Sequence, residues 1–209
     1  MASAIQLART LALAGAALIA TQASAAAFNG PYVGANIGWQ QDKGSTRWNE
    51  GEGLQTATGK VDGFTYGGFL GYNYNINGNG IVGLEASLNG TSGSSSEEDV
   101  RLDIGTRWDI VGRAGALISP QTLVYVRGGY TNQKYSVSLE GLSGSYSISK
   151  GGWTAGAGVE QAFTPNITGR VEYSYAKYGK LDASEFYDVS EASIRPEAHA
   201  VRVGVAYNF

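Results

Sequence analysis

The sequence predicts an all-β chain folded as an eight-stranded, antiparallel, up-and-down transmembrane β-barrel. Three observations predict it. Eight segments alternate apolar and polar residues with period two. They run 9 to 11 residues, the length a tilted strand needs to cross a bilayer, whereas strands of soluble proteins average about 5–6 residues. The connections between them alternate short and long, as periplasmic turns and surface loops do around such a barrel.

The segments are 32–40, 64–74, 81–89, 108–118, 123–133, 153–163, 167–177 and 199–209. Short connections fall at 75–80, 119–122 and 164–166, built from the Asn, Gly and Pro that tight turns require. Long ones cover 41–63, 90–107, 134–152 and 178–198. Eight strands return both ends of the barrel to the periplasmic side. The third segment sets Val82, Leu84, Ala86 and Leu88 opposite Gly83, Glu85 and Ser87. The sixth sets Trp153, Ala155, Ala157 and Val159 opposite Thr154, Gly156, Gly158 and Glu160. The last sets Val201, Val203, Val205, Tyr207 and Phe209 opposite Ala200, Arg202, Gly204, Ala206 and Asn208.

Charge decides which face meets lipid. An Arg or Lys facing the middle of a bilayer costs about 2–4 kcal/mol. Glu85, Arg113, Arg127, Glu160, Arg170, Glu172 and Arg202 therefore point inward. A soluble lipocalin-type barrel would invert this, with an apolar cavity inside and polar residues outside; seven charges interleaved with glycine on one face argue against it. An eight-stranded barrel is just wide enough for side chains to fill it. Arg and Glu inside it are expected to pair in a hydrogen-bonded plug, because a lone buried partner is costly. The other reading of the same residues is an ion path or gate. Glu160 and Glu172 could in principle do acid–base chemistry, but a filled lumen gives substrate no access.

Glycine supplies 31 of the 209 residues, about twice its usual share of roughly 7%. Gly78 and Gly80 sit in a turn, where positive φ is needed. Gly34, Gly38, Gly83, Gly156, Gly158 and Gly204 lie on the inward face, where they are expected to leave room for the long charged side chains. The aromatic residues form two sets. Trp39, Phe64, Tyr66, Trp108, Tyr130, Trp153 and Tyr175 fall near the extracellular strand ends, and Tyr72, Tyr74, Phe163, Tyr207 and Phe209 near the periplasmic ends. Two girdles are what amphipathic rings at both membrane interfaces produce.

Residues 1–25 read as a secretory signal peptide: Arg9 precedes an apolar run over 11–20, and Ala23-Ser24-Ala25 offers a cleavage site. The run is too short to span a bilayer, and the barrel domain occupies 26–209. The chain has no Cys and one His, which excludes disulfide scaffolds, thiol nucleophiles and multi-His metal sites. The net charge of −3 argues against nucleic acid as a partner. No Gly-x-Ser-x-Gly, Walker or His-Glu-x-x-His motif occurs, so no enzyme activity, metal or cofactor is expected.

Three stretches carry a family resemblance. The run 28–39, FNGPYVGANIGW, resembles the first strand of small Gram-negative outer-membrane β-barrel proteins, and 152–160, GWTAGAGVE, resembles their sixth. The ending Arg202-Val203-Gly204-Val205-Ala206-Tyr207-Asn208-Phe209 is similar to their C-terminal assembly signal, carried by Arg202, Gly204, Tyr207 and Phe209. The likeness is to the OmpA-like, porin-opacity type of eight-stranded barrel. It implies a cell outer membrane location, transit through the periplasm with chaperones, and insertion by the barrel assembly machinery. Because the sequence stops at Phe209, no peptidoglycan-binding domain is expected after the barrel.

The role this implies is structural: envelope integrity and presentation of surface loops. The alternatives are a narrow porin-like channel for ions or small solutes, a surface adhesin acting on a host or surface ligand through its long loops, and a lipid-modifying enzyme. His199 lacks the His-x-Ser spacing of the lipid A deacylases, which weighs against the last. Lys134, Lys177 and His199 project outward at the extracellular rim, where they are expected to contact lipopolysaccharide phosphates among the outer-membrane lipids. The alternative for them is snorkelling into water. Acidic stretches at 97–99 and 182–197 suggest solvated loops, divalent-cation bridging or adhesion.

Overall fold

The computed structural model describes residues 25–49, 54–92, 94–97, 100–139, 145–179, 181–182 and 193–209. The signal-peptide segment 1–24 lies outside them. A short 3-10 turn, Ala25–Phe28, precedes ten strands: β1 (Gly30–Asn49), β2 (Leu54–Ile76), β3 (Gly80–Ser92), β4 (Ser94–Glu97), β5 (Val100–Ser119), β6 (Thr122–Leu139), β7 (Ser145–Ala162), β8 (Ile167–Tyr178), β9 (Leu181–Asp182) and β10 (Ser193–Asn208). Eight of them close a barrel in the order β1-β2-β3-β5-β6-β7-β8-β10, with β10 pairing back onto β1 from Tyr32↔Asn208 to Arg47↔Ser193. All pairings are antiparallel. β4 folds against β5, and β9 adds two pairs to β10.

The turns on one end are as short as their chemistry predicts. Between β2 and β3, Asn77 and Gly78 both adopt positive φ, 57° and 81°, the pair that a tight hairpin needs. The Gly78 N–H donates to Asn75 Oδ1 at 2.9 Å, fixing the bend. At this turn end the first and last strands meet, with the Phe209 N–H donating to the Pro31 carbonyl at 3.1 Å.

The opposite end corrects the expectation of long loops. β1 runs on to Asn49 and β2 resumes at Leu54, paired residue for residue from Asn49↔Leu54 inward. β6 and β7 likewise pair out to Ser138↔Ser145. Most of 41–63 and 134–152 is thus hairpin. The reason is physical: beyond the bilayer both faces of a strand meet water, so the apolar alternation stops while the backbone ladder continues.

The barrel is inside out relative to a soluble core. Leu84, Leu70, Ile110, Val126 and Ile37 are exposed on the outer wall, the band a hydrocarbon core would cover. The girdle residues sit on that outer face. Trp108 packs at a tilt against Tyr130 with ring centroids 5.4 Å apart, and Trp153 meets Tyr175 at 5.5 Å and Tyr207 meets Phe209 at 5.1 Å edge to face, the last pair at the turn end.

The interior is not polar throughout. At the turn end Ile81, Leu123, Tyr125 and Ala162 point inward and receive Ala27 and Phe28, both fully buried, with Leu117 packed alongside. The residues just before β1 therefore stopper that mouth with an apolar cluster. Its signal was faint: inward Ile81 and Leu123 lie at segment starts, where alternation has only one neighbour to read.

Candidate functional site

The inward charges assemble into two tiers. The central tier is built on Glu85 of β3. Its carboxylate accepts from Arg170 Nη1 at 2.5 Å and Nη2 at 3.2 Å, Arg127 Nη1 at 3.3 Å, Arg113 Nη1 at 3.4 Å and the Tyr32 hydroxyl at 2.9 Å. Arg113 also donates to Glu160 Oε2 at 2.7 Å and Arg127 to Glu172 Oε1 at 2.6 Å. Thr168 and Tyr125 hydroxyls supply the remaining bonds to Glu160 and Glu172, at 2.7 and 3.0 Å. Three arginines thus meet three glutamates, all buried, with their charges matched.

Aromatic rings complete the tier. Arg170 lies over the Phe69 ring at 3.4 Å, and Arg113 over Tyr125 at 4.0 Å, a favourable arrangement for desolvated guanidinium groups. This refines the expected use of the inward glycines. A Cβ at Gly34 would strike the Phe69 ring, and one at Gly158 would lie 2.6 Å from Tyr125 Cζ. Those glycines seat rings, and the rings in turn seat arginines. At Gly38 a Cβ would strike the Val201 carbonyl first and then the Arg202 side chain at Cγ, 3.0 Å away, so that glycine admits the neighbouring backbone as well as a charged side chain.

The second tier lies toward the hairpin end and includes residues that the sequence reading missed. Arg107 Nε donates to Asp109 Oδ1 at 2.9 Å and Nη2 to Thr154 Oγ1 at 3.2 Å. Asp109 Oδ2 lies 3.7 Å from Arg127 Nη2, which couples the two tiers. Asp109 shares the face of Arg113 two pleats away and was legible by alternation. Arg107 continues the same alternation one pleat beyond Asp109, but it falls in the connection 90–107, one residue outside the predicted segment 108–118.

Arg202 points inward but joins no ion pair among the described residues, contrary to its expected place in the network. Its register partner Glu172 is held by Arg127 and Tyr125. Arg202 donates instead to Ser174 Oγ at 3.0 Å and Gln40 Oε1 at 3.3 Å. Gln40 Nε2 reaches Asp42 Oδ2 at 2.8 Å and, across the lumen, Gln133 Oε1 at 3.5 Å; the Tyr178 hydroxyl also donates to Gln133 Oε1, at 2.7 Å. On the outer face of β1 the apolar series ends at Trp39 and continues as Gln41 and Lys43, so Asp42 stands beyond the bilayer. There burial, only partly offset by the Gln40 bond, pushes its carboxyl up to about 6.

At the outer rim Lys134 is exposed. Lys177 Nζ pairs with Glu197 Oε1 at 3.0 Å, each about one-third exposed. His199 Nδ1 lies 2.7 Å from the Tyr173 hydroxyl, its ring between Tyr173 and Tyr175. Of the assembly-signal residues, Tyr207 and Phe209 face outward at the turn end and Gly204 faces inward beside Phe69. Of the acidic stretches, 98–99 and 183–192 lie outside the described residues.

The family model for the outer membrane protein beta-barrel domain matches residues 10–209. The 25 kDa outer-membrane immunogenic protein of Brucella canis is 29% identical over 182 residues, 86% of this chain and 78% of that one. The 22 kDa outer membrane protein of Rhizobium leguminosarum bv. viciae is 31% identical over 150 residues, 70% of this chain and 67% of that one. Among solved structures, Neisserial surface protein A superposes with a TM-score of 0.51 at 18% identity, covering 83% of this chain and 97% of its own. That likeness is one of fold.

Proposed function

The chain belongs to the outer membrane protein beta-barrel domain family, and on that premise we propose that it is a closed structural barrel that braces the envelope and presents its hairpins at the cell surface. It is an outer-membrane protein. The observation that carries the structural reading is closure of the lumen at two independent levels: the Glu85-centred ion network and the Phe28 stopper. An ion path would need both to open. The Brucella relatives are named as immunogenic, which suits hairpins turned outward.

In this reading residues 1–25 are the cleaved signal peptide. Arg202, Gly204, Tyr207 and Phe209 present the last strand to the barrel assembly machinery after chaperoned transit of the periplasm. Exposed Lys134 is the cation best placed for lipopolysaccharide phosphates. Lys177 would first have to release Glu197, and His199 is engaged by Tyr173. Planar-bilayer recording of refolded protein tests the central claim. The closed barrel gives no stepwise conductance; regular unitary steps from the wild-type protein would establish the narrow porin instead.

A further inference from the structure

Arg107, Arg113, Arg127 and Arg170 each have a carboxylate partner within the lumen. Arg202, 4% exposed, has none among the described residues. Its Nη1 and Nη2 go to the neutral acceptors Ser174 and Gln40, and its Nε–H has no partner. Arg107, equally buried, leaves its Nη1 without a partner. The two side chains converge on one patch of wall. Arg107 is anchored to Thr154 of β7 and Arg202 to Ser174 of β8. Thr154 pairs with Ala176, and Gly156 with Ser174, so the two anchors are one diagonal step apart, roughly 7–8 Å between backbones. The wall there is made of small residues: Gly156 and Ala176, then Ala198 and Ala200 on β10.

The arrangement has the parts of an anion cradle. Two desolvated guanidinium groups hold unspent N–H donors on a wall of small residues, and one of them makes no ion pair among the described residues, the Asp42 carboxylate acting on both only from beyond pairing distance. A buried cation held only by neutral acceptors is costly, and guanidinium N–H groups bond most strongly to anions. We propose that the lumen between Arg107 and Arg202 binds one compact inorganic anion, taken up from the hairpin side. The lumen is scarcely wider than its own side chains, so a bulky anion such as gluconate is excluded.

The test uses full-length protein refolded in detergent, with the heat-dependent gel shift as the check on folding. Crystals soaked in sodium bromide are expected to show an anomalous bromide peak within hydrogen-bond reach of Arg202 Nε and Arg107 Nη1. In solution, bromide or inorganic phosphate at fixed ionic strength is expected to shift the Arg202 Nε–Hε resonance saturably, while gluconate does not. A response to phosphate alone assigns an oxyanion, and a response to both assigns any compact anion. Arg202→Gln, which keeps amide bonding capacity without charge, is expected to weaken binding at least tenfold. Ala176→Leu fills the cradle with both arginines retained, and is expected to do the same. The absence of both the bromide peak and a saturable shift overturns the proposal, as does binding that both variants leave unchanged.

Discussion

Arg170 meets Glu85 at 2.5 Å across the whole width of the lumen. The pair joins β8 to β3, which stand four strands apart around the ring in either direction. A bond between opposite walls braces the barrel against flattening and occupies the axis a permeant ion would follow. Breaking a buried pair from one side leaves the other charge stranded, at a cost of about 3–5 kcal/mol. Glu85→Gln strands Arg170 and takes one carboxylate partner each from Arg113 and Arg127, which keep Glu160 and Glu172; it is expected to lower stability, read from the urea midpoint for loss of the heat-dependent gel shift, by about 3–5 kcal/mol. Glu85→Leu with Arg170→Met removes both charges at similar volume and is expected to recover much of that loss. If the double variant is as unstable as the single one, the pair's contribution is not the stranded charge.

Asp42 gives a pH dependence of defined sign. Its carboxyl titrates near 6 in the folded barrel and near 3.8 when free of its surroundings. Between these values the folded chain holds a proton that the unfolded chain has released. Stability therefore rises as pH falls from 7 toward 4 and is lost again as pH climbs through 6. The groups acting on it are Arg107, Arg202 and Asp62, beside the Gln40 amide. Asp42→Asn is expected to add stability on the order of 2 kcal/mol at pH 7.5 and to flatten the slope between pH 4 and 6. Urea midpoints measured across that range check both effects.

How much of this was legible in the sequence depends on what the bilayer imposed. Within the apolar band lipid forces alternation, so Glu85, Arg113, Arg127, Glu160, Arg170, Glu172 and Arg202 could all be set inward from the period together with the cost of a charge facing lipid. Where water replaces lipid that constraint ends, and the strand extensions to Asn49 and Leu139 left no apolar trace. Partner choice was hidden for a different reason. Arg202 faces Glu172 in register, yet Arg127 reaches Glu172 from another wall, a competition that only the closed barrel creates. Phe28 as a stopper was equally unreadable, because a single aromatic before a strand looks like any interfacial ring.

Gly158 offers a packing test. A methyl group there would press on Tyr125, whose ring lies against Arg113 and whose hydroxyl donates to Glu172. Overpacking of this kind costs about 1–3 kcal/mol. Gly158→Ala is expected to lie in that range by urea midpoint. Gly112→Ala, whose Cβ would meet nothing closer than a carbonyl at 3.9 Å, is expected to be close to neutral. Equal effects would mean that both changes act through strand propensity rather than through the ring.

Phe28 separates the two closures. It is fully buried against Ile81, Leu123 and Tyr125, and truncating such a ring costs about 3–5 kcal/mol when the site cannot collapse. A closed barrel wall cannot move inward to fill the gap, so Phe28→Ala is expected at the upper end of that range. Conductance is a different matter, because the Glu85 tier still blocks the axis above the vacated mouth. Phe28→Ala alone is expected to stay silent in planar bilayers. Glu85→Gln alone is expected to stay silent too, with the stopper in place. Only the combined variant is expected to pass ions, in steps that shrink when bulkier ions replace chloride. Current through either single variant would show that one layer, not two, holds the lumen shut.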